Sequence, residues 1–197
     1  MPRPKTFDHQ QVLEKAIEVF RRKGFNGASI PELTSELGIC RQSLYNSFGD
    51  KRGLFQAALD HYGKGEVQAK LDLLGAAGSP IENLRTFLRG WAALAAQCPG
   101  EGCFTITAII VNRDDPEALT TVEQQVNRLE NAIEENLKRA AEAGELKPDA
   151  SPARLARSLT TSSYGIGLLS RLPDSAARIG DTVAEMLELV DRAALGG

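Results

Sequence analysis

Arg41, Gln42 and Ser43 are consecutive polar residues at the opening of a short helical stretch. A guanidinium in such a place pairs with the two acceptors on the guanine edge, or with a phosphate. An amide bonds adenine through a donor and an acceptor together, and a hydroxyl serves base or backbone. The chemistry these residues offer is hydrogen bonding to the major groove of DNA. The sequence alone assigns no base to any of them.

The thiols are the second candidate chemistry. Cys98 and Cys103 flank a Pro-Gly turn, close enough to form a disulfide after backbone adjustment or to react with an electrophile. Their spacing is neither that of a zinc site nor that of a CxxC redox pair. The competing reading makes Cys103 a small buried hydrophobe ahead of Phe104. Three cysteines, an odd number, in a chain whose N-terminus lacks a signal peptide predict reduced thiols. No G-x-S-x-G, H-E-x-x-H or G-x-x-x-x-G-K is present, and His9 and His61 fall on surface-like helical stretches far from the thiols. The expectation is a protein that is not an enzyme and that needs neither metal nor cofactor.

The elements that position these residues read as helices throughout. Asp8 opens a first helix whose apolar positions, Leu13, Ala16, Ile17 and Phe20, recur at helical spacing until Gly24. Ser29-Ile-Pro-Glu32 is a capping box for a short second helix, Ile30 to Leu37, which Gly38 breaks. A third begins at Cys40, so two short helices are joined by a glycine-containing turn, the helix-turn-helix pattern. Asp50 caps a fourth, expected to run past Gly63 and Gly65 towards Leu74. The segment GAAGSP breaks the chain, and Ser79-Pro-Ile-Glu82 restarts helix. The run FTITAIIV, residues 104–111, has strand-like β-branching but no partner strand anywhere in the chain, which predicts a buried helix. Leu119, Val122, Val126, Leu129, Ile133 and Leu137 then mark a long helix ending near Gly144. Two more follow, from Ser151 to about Leu172 and beyond Pro173. The expected fold is all-α, with about nine helices and no strands.

Charge is unevenly placed. Residues 1–55 carry nine Lys and Arg against six Asp and Glu, while the remainder carries 14 against 20. A basic head suits contact with phosphates and an acidic body does not. No apolar run is long enough to span a membrane, which predicts a cytoplasmic protein with no membrane partner.

Residues 27–56, GASIPELTSELGICRQSLYNSFGDKRGLFQ, resemble the DNA-binding segment of the TetR (TetR/AcrR-type) family of bacterial transcriptional regulators. The resemblance rests on Ser29, Gly38, the Leu44-Tyr45-Asn46-Ser47-Phe48 run and Lys51. It extends upstream to Ala16, Phe20, Gly24 and Phe25. It implies a helix-turn-helix head over residues 1–50 and a helical ligand-binding and dimerisation body over 51–197. It implies DNA contacts from Ser29, Arg41, Gln42, Ser43, Tyr45, Asn46 and Lys51, with Tyr45 and Lys51 on phosphates. Leu44 and Phe48 then pack the motif against Phe20 and Leu54, and Arg3 and Lys5 form a basic arm.

The resemblance further implies a small-molecule effector held in the body. Phe87, Trp91, Phe104 and Tyr164 are expected to converge there, with Thr105, Thr107 and Asn112 as polar groups. It implies a homodimer through the last two helices, which carry apolar residues such as Leu155, Leu159, Ile166, Leu169, Val183, Met186 and Val190. The function implied is a ligand- or stress-responsive repressor on a palindromic operator of double-stranded DNA. The rival readings are a helical protein-binding adaptor without specific DNA binding, and a thiol-sensing repressor using Cys98 and Cys103.

Overall fold

Several helices start where a side chain satisfies the free N–H groups of the first turn. Asp8 Oδ1 accepts from the N–H of Gln10 at 2.9 Å, and Ser29 Oγ accepts from Glu32 N–H at 3.4 Å. Asp50 does the same for Gly53 at 2.8 Å, and Ser79 for Glu82 at 3.2 Å. The return arm of the last cap comes from Glu145, which accepts from Ser79 Oγ at 2.8 Å and Ile81 N–H at 3.1 Å. A distant carboxylate thus fixes the entry of that helix.

The computed structural model describes residues 7–97, 103–111 and 116–195. Among them nine helices follow in order. They are α1 (His9–Gly27), α2 (Ile30–Leu37), α3 (Arg41–Phe48) and α4 (51–74). Then come α5 (Pro80–Gln97), α6 (Phe104–Val111), α7 (Pro116–Glu142), α8 (Pro152–Leu169) and α9 (Ala176–Ala193). Within α4, regular helix over Lys51–Tyr62 passes through a π-helical turn, Gly63–Val67, into Gln68–Leu74 without leaving helical backbone angles. The described residues hold no strand beyond one isolated bridge between Leu146 and Ala194. Gly24, at φ 71° and ψ 170°, kinks α1 at the position where the sequence predicts its end.

α8 stops at Leu169, short of the Leu172 expected from sequence. Pro173 disfavours helical angles at Leu172, so the chain closes with tighter bonds such as Leu172 N–H to Leu169 O at 2.9 Å.

Two apolar clusters result. One joins Phe20, Leu33 and Leu44 of the head to Leu54 and Phe55 of α4 and Phe104 of α6; the other joins Leu84, Leu88, Ile133, Leu137, Leu159, Val183 and Val190 in the body. Burying each such side chain contributes roughly 1.5–3 kcal/mol. α6 has almost no polar face, and its Phe104, Thr105, Ile106 and Ala108 are buried. The strand-like residues 104–111 therefore form helix, as the lack of any partner strand predicts. Tyr164 of α8 packs against both clusters.

Candidate nucleic-acid interface

Gly38 ends α2 in the left-handed region, at φ 68° and ψ 26°, and its N–H caps back onto Ser35 and Thr34. That turn drops Ile39 into the core and sends α3 off at an angle. Leu44 is completely buried, so α3 is pinned by its inner side. Arg41, Gln42, Tyr45 and Asn46 are consequently exposed on its outer side, with Ser43 half-buried at the edge.

The outward side chains pair with one another one turn apart. Arg41 donates to Tyr45 Oη at 3.3 Å with its guanidinium 5.5 Å from the ring centre, and Gln42 Nε2 donates to Asn46 Oδ1 at 2.9 Å. Exposed pairs of this kind are worth a few tenths of a kcal/mol, so they order the side chains yet exchange readily for a base or phosphate.

Cys40 occupies the N-cap of α3, exposed, with Sγ 3.1 Å from Ser43 Oγ. The Ser43 hydroxyl, followed by nearby backbone N–H groups, holds this thiol below its ordinary range. Iodoacetamide at pH 8 is therefore expected to alkylate Cys40 well before the buried Cys103, as mass mapping of timed digests would read. Equal rates would contradict this ordering.

Lys51 is turned inward. Its Nζ donates to the Ala28 carbonyl at 2.8 Å and lies 4.5 Å from the centre of the Phe25 ring, and burial pushes its pKa down. It ties the start of α4 to the α1–α2 junction. Two more cations are spent on α1–α2 pairs, Arg22 with Glu36 and Lys23 with Glu32. Ser29 is exposed, with its hydroxyl engaged as the α2 cap. Phe48 is half-buried against the cluster that holds Phe20, Leu44 and Leu54, with its ring tilted towards those of Phe7 and His9 at 6.4 and 5.7 Å.

Comparison with known proteins agrees with this geometry. Residues 12–58 match the family model for bacterial regulatory proteins of the tetR family, and residues 80–186 match the tetracyclin repressor-like C-terminal domain. The chain belongs to the TetR family. It is 37% identical to the HTH-type transcriptional regulator YezE of Bacillus subtilis strain 168, over 97% of this chain and 100% of that one. It is 33% identical to the HTH-type transcriptional repressor BdcR of Escherichia coli K12, over 66% of each. A cysteine-substituted form of the TetR family regulator CifR, solved with 26-base-pair operator DNA, superposes with a TM-score of 0.81 at 29% identity, covering 94% of this chain and 98% of that one.

In the TetR body the expected effector residues divide between the two clusters. Phe87 and Trp91 meet edge to face at 6.4 Å in the body, and Trp91 lies 3.8 Å from where a Cβ on Gly167 would stand. Phe104 instead packs edge-on to Phe55 and Tyr62 at 5.3 and 5.7 Å, on the head side. Tyr164 bridges the two, and burial drives its phenol pKa strongly upward. Trp91 Nε1, Thr160 Oγ1 and Ser163 Oγ are buried and meet no hydrogen-bond partner among the described residues. Cys98, Asn112 and the Thr107 side chain lie outside the described residues, as do Arg3 and Lys5. A hollow of about 460 Å³ bounded by Lys147, Arg154, Leu155 and Arg192 is lined by none of the expected effector residues. No group of three metal-type ligands occurs among the described residues, and no helix searched there is long and apolar enough to cross a membrane.

Sequence reasoning missed Gly53, Gln125 and the bond from Arg171 to the Arg21 carbonyl at 2.8 Å. Only Gly53 carried a signal: a glycine inside a helical pattern costs stability unless something approaches closely.

Proposed function

We propose that this TetR family member is an effector-responsive repressor that binds a palindromic operator as a homodimer, acting in the cytoplasm. The observation that carries the reading is α3: seated by the buried Leu44, it turns Arg41, Gln42, Tyr45 and Asn46 to solvent with Ser43 half-buried beside them. The operator-bound CifR supports it. Ser29 and the first-turn N–H groups of α4 add backbone contacts, and Lys51 joins them by leaving the Ala28 carbonyl. The head, 1–50, and body, 51–197, then share α4 as the element through which the body moves the head. The effector lies against Phe87, Trp91, Phe104 and Tyr164, on the two sides of the junction that Tyr164 spans.

The dimer face differs from the one the apolar pattern suggests. Leu159, Ile166, Val183, Met186 and Val190 are buried within one chain. The exposed residues of the last two helices and their junction include Leu168 and Leu172 and the small residues Thr161, Ala177, Gly180 and Ala184, alongside charged ones such as Arg157, Arg178, Asp181 and Glu185. Exposed leucines beside small side chains suit close helix-to-helix contact with a second copy.

Selection of bound duplexes from a random pool tests the reading. One enriched palindrome with half-sites about 34–36 Å apart is expected. The absence of any enrichment at moderate salt would favour the adaptor reading.

A thiol-sensing variant of this function draws support from one junction. Cys103 Sγ is 3.6 Å from Tyr62 Oη of α4, and Cys103 N–H donates to Gly167 O of α8 at 3.4 Å. Modification there would separate helices that hold the head. A Cys103→Ser protein whose operator binding still responds to diamide as wild type does would eliminate that variant.

A further inference from the structure

The π-helical turn at Gly63–Val67 falls where α4 leaves the head, and a π turn inside a helix is rare and frequently marks a functional site. Gln125 of α7 lies against it, 4% exposed. Gln125 Nε2 donates to the Leu59 carbonyl at 3.0 Å, and its Oε1 accepts from Thr105 Oγ1 of α6 at 2.8 Å. Gly63 makes the approach possible, since a Cβ there would stand 2.6 Å from Gln125 Nε2. One buried amide therefore joins the head-bearing part of α4 to α6 and α7.

The neighbouring bonds along this seam are weaker restraints. Gln56 Nε2 donates to Thr121 Oγ1 at 2.6 Å in a partly buried place, and Arg128 reaches Gln68 at the surface. Water replaces those bonds when they open. It does not replace those of Gln125, where a missing partner leaves a bare amide in an apolar setting. The clamp is accordingly made or broken, with little in between.

We propose that Gln125 is a positioning residue for operator binding: through the π turn it sets the angle at which α4 presents α3, and Thr105 places that clamp under the control of α6. The inference rests on the DNA-binding reading above. In a two-fold dimer a changed angle acts on both heads, so it alters the spacing of half-sites that the protein prefers.

The test uses the full chain, the palindrome recovered by selection, and versions with one or two base pairs added or removed at its centre. Q125L keeps the volume and removes both bonds. It is expected to remain dimeric and to keep the base preference within each half-site. It should lose about tenfold or more in affinity at the native spacing and discriminate poorly between spacings. T105V keeps the bond to Leu59 and is expected to shift in the same direction by about threefold. It carries the test where Q125L does not fold. Wild-type affinity and spacing preference in the variants that fold would overturn the proposal. So would an equal loss at every spacing and on random DNA, the sign of a merely unstable head. Failure to recover any palindrome with wild-type protein would instead defeat the DNA-binding reading, and the clamp with it.

Discussion

Gly53→Ala is expected to destabilise the head by about 3 kcal/mol or more, with a fall in melting temperature of about 6–12 °C and loss of operator binding. A Cβ at residue 53 would stand 1.9 Å from the carbonyl oxygen of Phe48 and 3.1 Å from its carbonyl carbon. The obstacle is backbone, so no rotamer change relieves it. Nor is the corner free to move: Asp50 N–H bonds to Phe48 O at 2.9 Å, Leu54 N–H to Asp50 O at 3.1 Å, and Gly53 N–H to the Asp50 carboxylate at 2.8 Å. Relief requires α3 to swing away from α4, which draws Leu44 out of the cluster it shares with Phe20 and Leu54. Gly38→Asn provides the contrast. Gly38 is held at φ 68° with nothing within 4 Å of an added Cβ, and asparagine tolerates that conformation, so the cost should be about 1 kcal/mol or less. Calorimetry on both variants checks the pair; a Gly53→Ala protein as stable as wild type would show that the corner yields.

The contrast also shows what a sequence discloses. Caps, breaks and stripes depend on residues within a turn of one another. Asp8, Ser29, Gly38 and Asp50 were therefore readable, as was the helix at 104–111. Part of the outward set on α3 was readable for the same reason: once Leu44 is assigned inward, helical periodicity sends Gln42 and Asn46 outward, while Arg41, one turn before Leu44, is exposed because it stands at the open first turn of the helix. Lys51 shows the limit. Its position in the motif implies a phosphate contact, but the carbonyl it meets, Ala28, is 23 residues away in the chain. Gln125 lies further still beyond local reach, 66 residues from Leu59, and in sequence it reads as one more polar residue on an amphipathic helix. The apolar surplus of the last two helices was misleading because much of it faces α5 and α7 within the chain, which periodicity alone cannot separate from a face turned to another subunit.

Arg41→Ala and Lys51→Met are expected to divide affinity from stability. Arg41 is exposed, and its partner Tyr45 is exposed beside it, so its removal should leave the melting temperature within about 1 °C. Operator affinity should nevertheless fall by about 1–3 kcal/mol for each half-site at which the guanidinium is missing, roughly five- to 150-fold. If the guanidinium reads a guanine, repeat selection with the variant loses its preference at one symmetric pair of positions and the salt dependence stays close to wild type. If it holds a phosphate, all sequences weaken alike and the slope of log affinity against log salt falls by about one for each phosphate released. Lys51→Met removes a charge-assisted bond to Ala28 O in a partly buried site while keeping an apolar stem over Phe25, so the cost appears as about 1–3 kcal/mol of head stability. A phosphate role for Lys51 adds a reduced salt slope to that loss, whereas a purely internal staple leaves the slope unchanged. Salt titrations of both variants on one operator, read beside their melting curves, decide between the two roles. An Arg41→Ala protein with wild-type affinity would remove the central side chain from the proposed interface.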